Sequence, residues 1–222
     1  MSSAAKMTVR SAQILALLAA AYVSVQLLAD ITSLRIVDIG GFAMDGGTLI
    51  YPITFTLRDM VHKVAGKRVA RTLIFASAAI NLVMAGLFWI VTNMNLIPET
   101  GPQSELFGDV LGPVWRIVFA SIIAEVIAEL VDTEIYSRWV KNFGERMQWG
   151  RVLSSNIVAI PIDSVIFALI AFGGVFSGAV VADIIRTNIL IKGIVTLLSI
   201  PLIYLVRPGR AVDEEELVDA QM

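Results

Sequence analysis

Long apolar segments recur along this chain, and they constrain its fold more than any other feature. They lie near residues 11–33, 47–64, 71–96, 114–139, 152–173 and 181–206. A helix needs about 20 apolar residues to cross the hydrocarbon core of a bilayer. Hydrophobic residues make up 57% of the chain, against 16% charged. The pattern predicts an all-α, polytopic membrane protein with six transmembrane helices in one domain over 1–210, followed by an acidic cytoplasmic tail, 211–222.

Basic residues are distributed unevenly over the turns between these segments. Arg35 and Arg116 are expected on the outer side. The basic residues expected on the side of the N-terminus are Lys6, Arg10, Lys63, Lys67, Arg68, Arg71, Arg138, Lys141, Arg146, Arg151, Arg207 and Arg210. Since Lys and Arg accumulate in cytoplasmic loops, we predict a protein of the cell (inner) membrane with both termini in the cytoplasm. The first apolar segment is expected to be a membrane helix and not a cleaved signal.

Composition argues against several other classes of protein. The chain has no cysteine and one histidine, His62, so cysteine-based and multi-histidine metal sites are excluded. Its net charge of −2 is unsuited to binding nucleic acid. No phosphate-binding glycine loop or Ser/His/Asp set is found. We therefore predict no enzyme activity, no cofactor and no metal.

Polar side chains inside the apolar segments are the candidates for function, because a charge at membrane depth is costly unless it is paired or hydrated. The second segment contains Tyr51, Pro52 and Phe55, and ends with Arg58 and Asp59. Pro52 permits a local break in the helix. Arg58 is placed to neutralise Asp59, so this segment is either a kinked packing helix or part of a site.

Three acids in the fourth segment share one helical face, since Glu125, Glu129 and Asp132 are spaced by four and three residues. Such a face cannot contact lipid and must line a cavity or meet cations. Two interpretations remain open. In the first, these acids and Asp59 bind protons whose movement is coupled to transport. In the second, they are structural partners for cations such as Arg58, Arg186 and Lys192.

The fifth and sixth segments contain the strongest indication of a functional site. Counting about 1.5 Å per residue from the cytoplasmic end places Asp163 near the middle of the bilayer, on the same face as Asn156. Lys192 shares a face with Asn188 in the next segment. Because the two segments are antiparallel, we predict that Asp163 and Lys192 lie at one level, as a neutralised pair or as a pair that a polar ligand interrupts.

Two further patterns concern helix arrangement. Pro52 and Pro161 each lie in the second helix of a three-helix half, which suggests two halves of inverted topology. Ala16 and Ala20 form a pair of small residues four apart, which is typical of helix–helix contacts. We expect this pair to pack inside the protein. Asp183 and Arg186, three apart, are expected to form a local ion pair.

A series of short motifs resembles one transporter family. The motifs are Asp30-Ile31-Thr32-Ser33, Tyr51-Pro52 followed by Asp59, Leu130-Val131-Asp132, Ser155-Asn156 with Asp163-Ser164 and Phe167, and Lys192 with Pro201. In order and spacing they are similar to the queuosine-precursor transporter family, also called the vitamin uptake transporter family. The likeness extends from about Asp30 to Tyr204.

The resemblance implies import of 7-deazaguanine bases, such as 7-cyano-7-deazaguanine and 7-aminomethyl-7-deazaguanine, for salvage into modified tRNA. It implies a purine-like substrate and a lipid environment, with the chain acting alone or as a homodimer. In this interpretation Asp163 and Asn156 bind the donor edge of the base, Lys192 or Asn188 binds its carbonyl, and Tyr51, Phe55 and Phe167 stack on the ring.

Two alternatives are retained. The chain is similar in size and helix number to the substrate-binding subunits of energy-coupling-factor vitamin transporters, which use small-residue helix faces like that of Ala16 and Ala20. A membrane scaffold protein without transport activity, whose buried charges are all structural, is the second alternative. Uptake by this chain without ATPase subunits would exclude the first, and ligand binding would exclude the second.

Overall fold

The computed structural model describes residues 9–97, 101–143, 148–199, 201–202 and 205. Within these residues the chain is mainly helical. The helices are α1 (Val9–Thr32), α2 (Ile53–Thr92), α3 (Pro102–Leu111), α4 (Val114–Phe143), α5 (Gln148–Phe172) and α6 (Gly178–Ser199). A hairpin of β1 (Ile36–Ile39) and β2 (Phe42–Asp45), followed by a 3₁₀ turn (Gly46–Leu49), lies between α1 and α2. The helical class is confirmed, but the hairpin was not predicted.

Among the described residues, three helical stretches are long and apolar enough to cross a bilayer: Val9–Thr32, Arg68–Thr92 and Ser104–Ala128. The segment Asn156–Phe172 of α5 is apolar but shorter. Helix α6 contains Asp183, Arg186 and Lys192, which interrupt its apolar sequence. Six crossings and two inverted halves therefore remain predictions, although helices occupy all six predicted segments.

The distribution of polarity is that of a membrane protein. Many large apolar side chains are exposed, among them Leu17, Phe75, Val83 and Leu198. The interior, in contrast, contains carboxylates, amides and hydroxyls as well as apolar groups. A soluble protein seldom exposes so much contiguous apolar surface, whereas a bilayer solvates it.

Helix α2 is broken at Gly66, whose φ of 84° and ψ of 170° are non-helical. Glycine adopts a positive φ without the steric penalty that other residues meet. Both halves of α2 contact α1, since Val61 before the break and Leu73 after it pack in one cluster with Leu18. The break lies where the sequence predicts a turn, between the second and third apolar segments.

The β1–β2 hairpin turns through Gly40 and Gly41, both with positive φ. A two-residue hairpin loop of type I′ requires positive φ at both positions. The register pairs Ile39 with Phe42 next to the loop and Ile36 with Asp45 at the open end. The hairpin therefore delivers Asp45 to the base of the sheet, where the chain re-enters the interior.

Helices α4, α5 and α6 pack around small residues. Ala120 and Ala124 of α4 are fully buried against Ala168 of α5 and Ile184 of α6. Small side chains allow helix backbones to approach closely in membranes. The expectation for Ala16 and Ala20 was wrong, because both residues are exposed on α1 and the buried small-residue stripe lies on α4.

Helix α3 lies between the third and fourth apolar segments, where no helix was predicted. After this helix, the Arg116 guanidinium donates from Nε to the carbonyl oxygen of Ile170 at 2.8 Å and from a terminal nitrogen to that of Gly173. The last carbonyls of a helix have no partner within it. Arg116 thus caps α5 and joins its end to the beginning of α4.

Candidate ligand chamber

A chamber with about 280 Å³ of empty space, partly open to the outside, lies between the helices and the 3₁₀ turn. Its lining contains three acids and one lysine. The lining residues are Ala29, Asp30, Ser33, Asp45, Gly47, Thr48, Tyr51, Ser121, Asp163, Phe167 and Lys192.

Asp163 of α5 and Lys192 of α6 form an ion pair in the chamber wall. Lys192 Nζ lies 2.6 Å from Asp163 Oδ2, and the side chains are 3% and 2% exposed, respectively. The ammonium also lies 4.6 Å from the centre of the Tyr51 ring and 5.8 Å from that of Phe167. Aromatic faces stabilise a cation at such distances. The predicted pairing is confirmed, and two rings border it.

Asp45 is a second polar centre. Its carboxylate, 1% exposed, accepts hydrogen bonds on Oδ1 from Ser33 Oγ (2.8 Å) and the Thr48 backbone N–H (3.1 Å). On Oδ2 it accepts from Asn188 Nδ2 (2.7 Å). The Thr48 hydroxyl lies 2.9 Å from Oδ2 and 2.8 Å from Asn188 Oδ1, and donates to one of them at a time. Asp45 thus connects α1, the 3₁₀ turn and α6.

The 3₁₀ turn can approach α1 because it begins with two glycines. A Cβ at Gly46 would lie 2.6 Å from the Thr32 carbonyl oxygen. A Cβ at Gly47 would overlap Ser33 Oγ and the Ala29 carbonyl oxygen. The pair of glycines therefore allows Asp45 to reach its partners on α1.

We predict that Gly47→Ala destabilises the protein by about 1–3 kcal/mol, as overpacking usually does. The methyl group displaces the Ser33 hydroxyl or the α1 backbone, so the Asp45 cluster opens. Thermal unfolding in detergent measures the effect. Gly86→Ala is the control, because nothing lies within 4 Å of its Cβ position; it should be neutral or stabilising by up to about 1 kcal/mol. Equal stability of the two variants would contradict the prediction.

A third cluster joins α1 to α4. Tyr22 donates its hydroxyl proton to Glu125 Oε1 at 2.5 Å. Gln26 Nε2 lies 3.2 Å from Oε1 and 3.1 Å from Oε2 of the same carboxylate. The three side chains are buried. Tyr22, Gln26 and Asp30 are spaced by four residues on one face of α1, so this cluster continues towards the chamber.

The predicted site residues are only partly brought together. Tyr51, Asp163, Phe167 and Lys192 line the chamber. Asn188 lies outside the lining and forms hydrogen bonds with two lining residues, Asp45 and Thr48. Two further predicted residues also lie outside the lining. The Phe55 ring packs edge-on against that of Tyr51, with the ring centroids 5.5 Å apart, and Asn156 is buried elsewhere on α5.

The predicted acids separate into different environments. Asp59 pairs with Arg58 at 3.7 Å, and Asp183 pairs with Arg186 at 3.4 Å, as expected. Glu125 contacts Tyr22 and Gln26, while Arg186 and Lys192, two of the cations considered as its partners, contact other acids. The side chains of Glu129 and Asp132 lie outside the described part of the structure.

Sequence reasoning missed five of the eight polar residues that line the chamber. Neither Asp45 nor Ser121 was predicted to belong to the site. The missed polar residues are Asp30, Ser33, Asp45, Thr48 and Ser121. The available signal was Asp45 directly before Gly46-Gly47, since Asp is favoured at an N-cap, where its side chain accepts from a backbone N–H two or three residues later.

Comparisons with known proteins agree with this architecture. The sequence profile of a family described as "Putative vitamin uptake transporter" matches residues 45–206, more than half of the chain. A Bacillus subtilis (strain 168) protein named "Probable queuosine precursor transporter" is 24% identical over 181 residues, covering 79% of this chain and 77% of that protein. No solved structure matches.

The matched region begins at Asp45 and contains Tyr51, Asp163, Phe167 and Lys192, so it covers most of the chamber wall. A transporter family agrees with the absence of enzyme motifs in the sequence, with the exposed apolar helices and with a polar interior. The chain is a membrane protein, and it belongs to the vitamin uptake transporter family.

Proposed function

We propose that this protein imports 7-deazaguanine bases, the precursors of queuosine, through the chamber between its helices. The observation that carries the proposal is the buried Asp163–Lys192 pair beside the rings of Tyr51 and Phe167. The relative named as a queuosine precursor transporter supports the choice of substrate class.

The chemistry of the pair matches a guanine-like edge. Such a base presents two neighbouring N–H donors and a carbonyl acceptor. The Asp163 carboxylate accepts from the donors, and the Lys192 ammonium donates to the carbonyl. A ligand inserted in this way replaces both contacts of the ion pair, so neither charge is left unpaired.

The aromatic side chains complete the site. Tyr51 and Phe167 both lie near the Lys192 ammonium and offer aromatic surface to a flat ring. Stacking of a base on an aromatic side chain is worth about 1–3 kcal/mol.

The direct experiment is uptake of radiolabelled 7-cyano-7-deazaguanine by proteoliposomes that contain only this protein. We expect saturable uptake that unlabelled 7-deazaguanine bases inhibit and that adenine does not. Uptake without any ATPase subunit would also exclude the energy-coupling-factor alternative. Absence of both binding and uptake would overturn the proposed function and favour a scaffold.

The role of the aromatic wall is tested separately. We predict that Tyr51→Leu weakens binding of 7-cyano-7-deazaguanine roughly tenfold or more, because a stacking face is lost. Tyr51→Phe keeps the ring and should bind within a few-fold of wild type. Isothermal titration calorimetry in detergent measures both. Equal affinity of the Leu and Phe variants would remove Tyr51 from the site.

A further inference from the structure

Two buried acceptor atoms on α1 have no hydrogen-bond partner among the described residues: Asp30 Oδ2 and Gln26 Oε1. The two side chains are 2% and 1% exposed, and Asp30 lines the chamber. They are four residues apart, hence neighbours on one helical face. A buried acceptor without a donor costs about 1–3 kcal/mol, so two of them together at a chamber wall require an explanation.

The charged surroundings of Asp30 are mainly acidic. Among the described residues, the titratable groups that face the chamber or border Asp30 are Tyr22 of α1, Asp45 of β2, Tyr51 before α2, Glu125 of α4, Asp163 of α5 and Lys192 of α6. Arg58 of α2 is a further cation that interacts electrostatically with Tyr22. Lys192, the cation that lines the chamber among the residues that the structure describes, is bonded to Asp163. Asp45 already accepts bonds on both oxygens. Asp30 also has a side-chain hydrogen bond with Ser121 of α4, but its Oδ2 atom has no donor among the described residues.

A single proton would satisfy both atoms. An ionised carboxylate only accepts hydrogen bonds, whereas a carboxylic acid also has one O–H donor. With the proton on Oδ2, Asp30 can donate to Gln26 Oε1. Gln26 Nε2 in turn donates to the Glu125 carboxylate, at 3.1 Å from Oε2. Gln26 therefore connects the proton site to Glu125 through its amide.

We propose that Asp30 is the proton-binding site that couples uptake of the ligand to uptake of H⁺. This inference rests on the proposed function of the chamber and adds its energy source. A ligand that enters between Asp163 and Lys192 takes up hydrogen bonds of the Lys192 ammonium. The ammonium then neutralises the negative charge of the chamber acids less well. A proton on Asp30 restores the balance of charge, and ligand and proton then favour each other's binding reciprocally.

The first test is uptake against a gradient. Proteoliposomes with wild-type protein, an acidic exterior and external 7-cyano-7-deazaguanine should accumulate this ligand several-fold above its external concentration. Asp30→Asn mimics the protonated acid, since its amide donates to Gln26; it should fold, bind the ligand and only equilibrate it across the bilayer. Asp183→Asn is the matched control, because Asp183 lies outside the lining and pairs with the exposed Arg186. It should accumulate ligand as wild type does.

A second measurement does not depend on the ligand. Infrared difference spectroscopy during a pH titration should show the carbonyl stretch of a buried carboxylic acid in wild type and Asp183→Asn. The band should be missing in Asp30→Asn. If an ordered water bridges Asp30 and Gln26 while Asp30 stays ionised, wild type lacks the band and the proposal is wrong.

The outcomes separate the two proposals. Ligand binding without proton-driven accumulation, accumulation by Asp30→Asn equal to wild type, or accumulation driven by a Na⁺ gradient at fixed pH would each overturn the coupling role and leave the proposed function standing. If the ligand neither binds nor enters, the proposed function fails, and the infrared band still decides whether Asp30 holds a proton.

Discussion

Replacing Asp163 by leucine is expected to lower the free energy of unfolding by about 3–5 kcal/mol, because it leaves the Lys192 ammonium buried without its partner. Lys192→Met should destabilise the protein to a similar extent by leaving Asp163 unpaired. Both side chains are almost fully buried and 2.6 Å apart, so water solvates a single remaining charge poorly. Each single variant should also lose ligand binding.

The double variant Asp163→Leu with Lys192→Met distinguishes a structural pair from a binding pair. Replacing a buried ion pair by apolar side chains is often neutral or stabilising, so we expect its stability to return to within about 1 kcal/mol of wild type. Binding of 7-cyano-7-deazaguanine should not return. Loss of hydrogen bonds to charged groups, each worth about 1.5–3 kcal/mol, corresponds to a reduction in affinity of at least tenfold.

Thermal unfolding in detergent and calorimetric binding, measured on the same preparations, provide the two readouts. The control is Asp183→Asn. This variant alters the ion pair between Asp183 and Arg186, which lies on the same helix as Lys192, and the Arg186 side chain is 74% exposed. Exposed pairs contribute about 0–1 kcal/mol, so this variant should resemble wild type in both assays. A double variant that regains both stability and ligand binding would show that the pair is structural only.

The second large effect is expected for Asp45→Asn. Both carboxylate oxygens of Asp45 accept hydrogen bonds, from Ser33, Thr48 and Asn188. The amide of the Asp45→Asn variant keeps only one of the two acceptor oxygens. Its NH₂ group replaces the other oxygen and faces side-chain or backbone donors that then lack an acceptor. Each buried donor left unsatisfied costs about 1–3 kcal/mol, so we expect a loss of about 2–5 kcal/mol in the free energy of unfolding.

Function should fail along with stability in this variant. Tyr51 lies two residues after the end of the 3₁₀ turn and takes its position from it, since its backbone N–H donates to the Gly47 carbonyl oxygen at 2.9 Å. If the turn separates from α6, the aromatic wall moves away from Lys192 and ligand affinity falls. Ligand binding by whatever folded protein remains should therefore be weaker than in wild type.

The same hairpin offers a matched control. Asp38 is exposed, and its carboxylate accepts from the Gly41 backbone N–H at 3.3 Å. Asp38→Asn should change stability by less than about 0.5 kcal/mol, as is usual for surface substitutions, and should leave binding unchanged. If Asp45→Asn is as stable and active as Asp38→Asn, Asp45 does not hold the turn against α6.

The parts of the site that could be predicted lie within single helices or between sequence neighbours. Asp163 and Lys192 were paired correctly because α5 and α6 are consecutive and antiparallel, so depth along each helix follows from counting residues. The same reasoning identified the local pairs of Asp59 with Arg58 and of Asp183 with Arg186. It also located the break in α2 near Gly66.

The parts that could not be predicted involve elements far apart in the chain. Glu125 meets Tyr22 and Gln26, about one hundred positions away, and Asp45 meets Asn188, 143 positions away. Which face of a helix contacts which neighbour depends on rotation about the helix axis and on the order of helices around the interior. A single sequence contains little information about either quantity.

The amino-acid sequence by itself determined that this chain is helical and membrane-embedded, because apolar segments of spanning length have no other stable solvent. It also determined that the few charges within those segments must be paired or enclosed. Only the tertiary structure decided that a glycine-rich turn enters the interior at Asp45, and that Asp30 keeps an oxygen without a donor among the described residues. Both depend on packing between distant elements, where close approach and the supply of hydrogen-bond donors are established only after the helices have assembled.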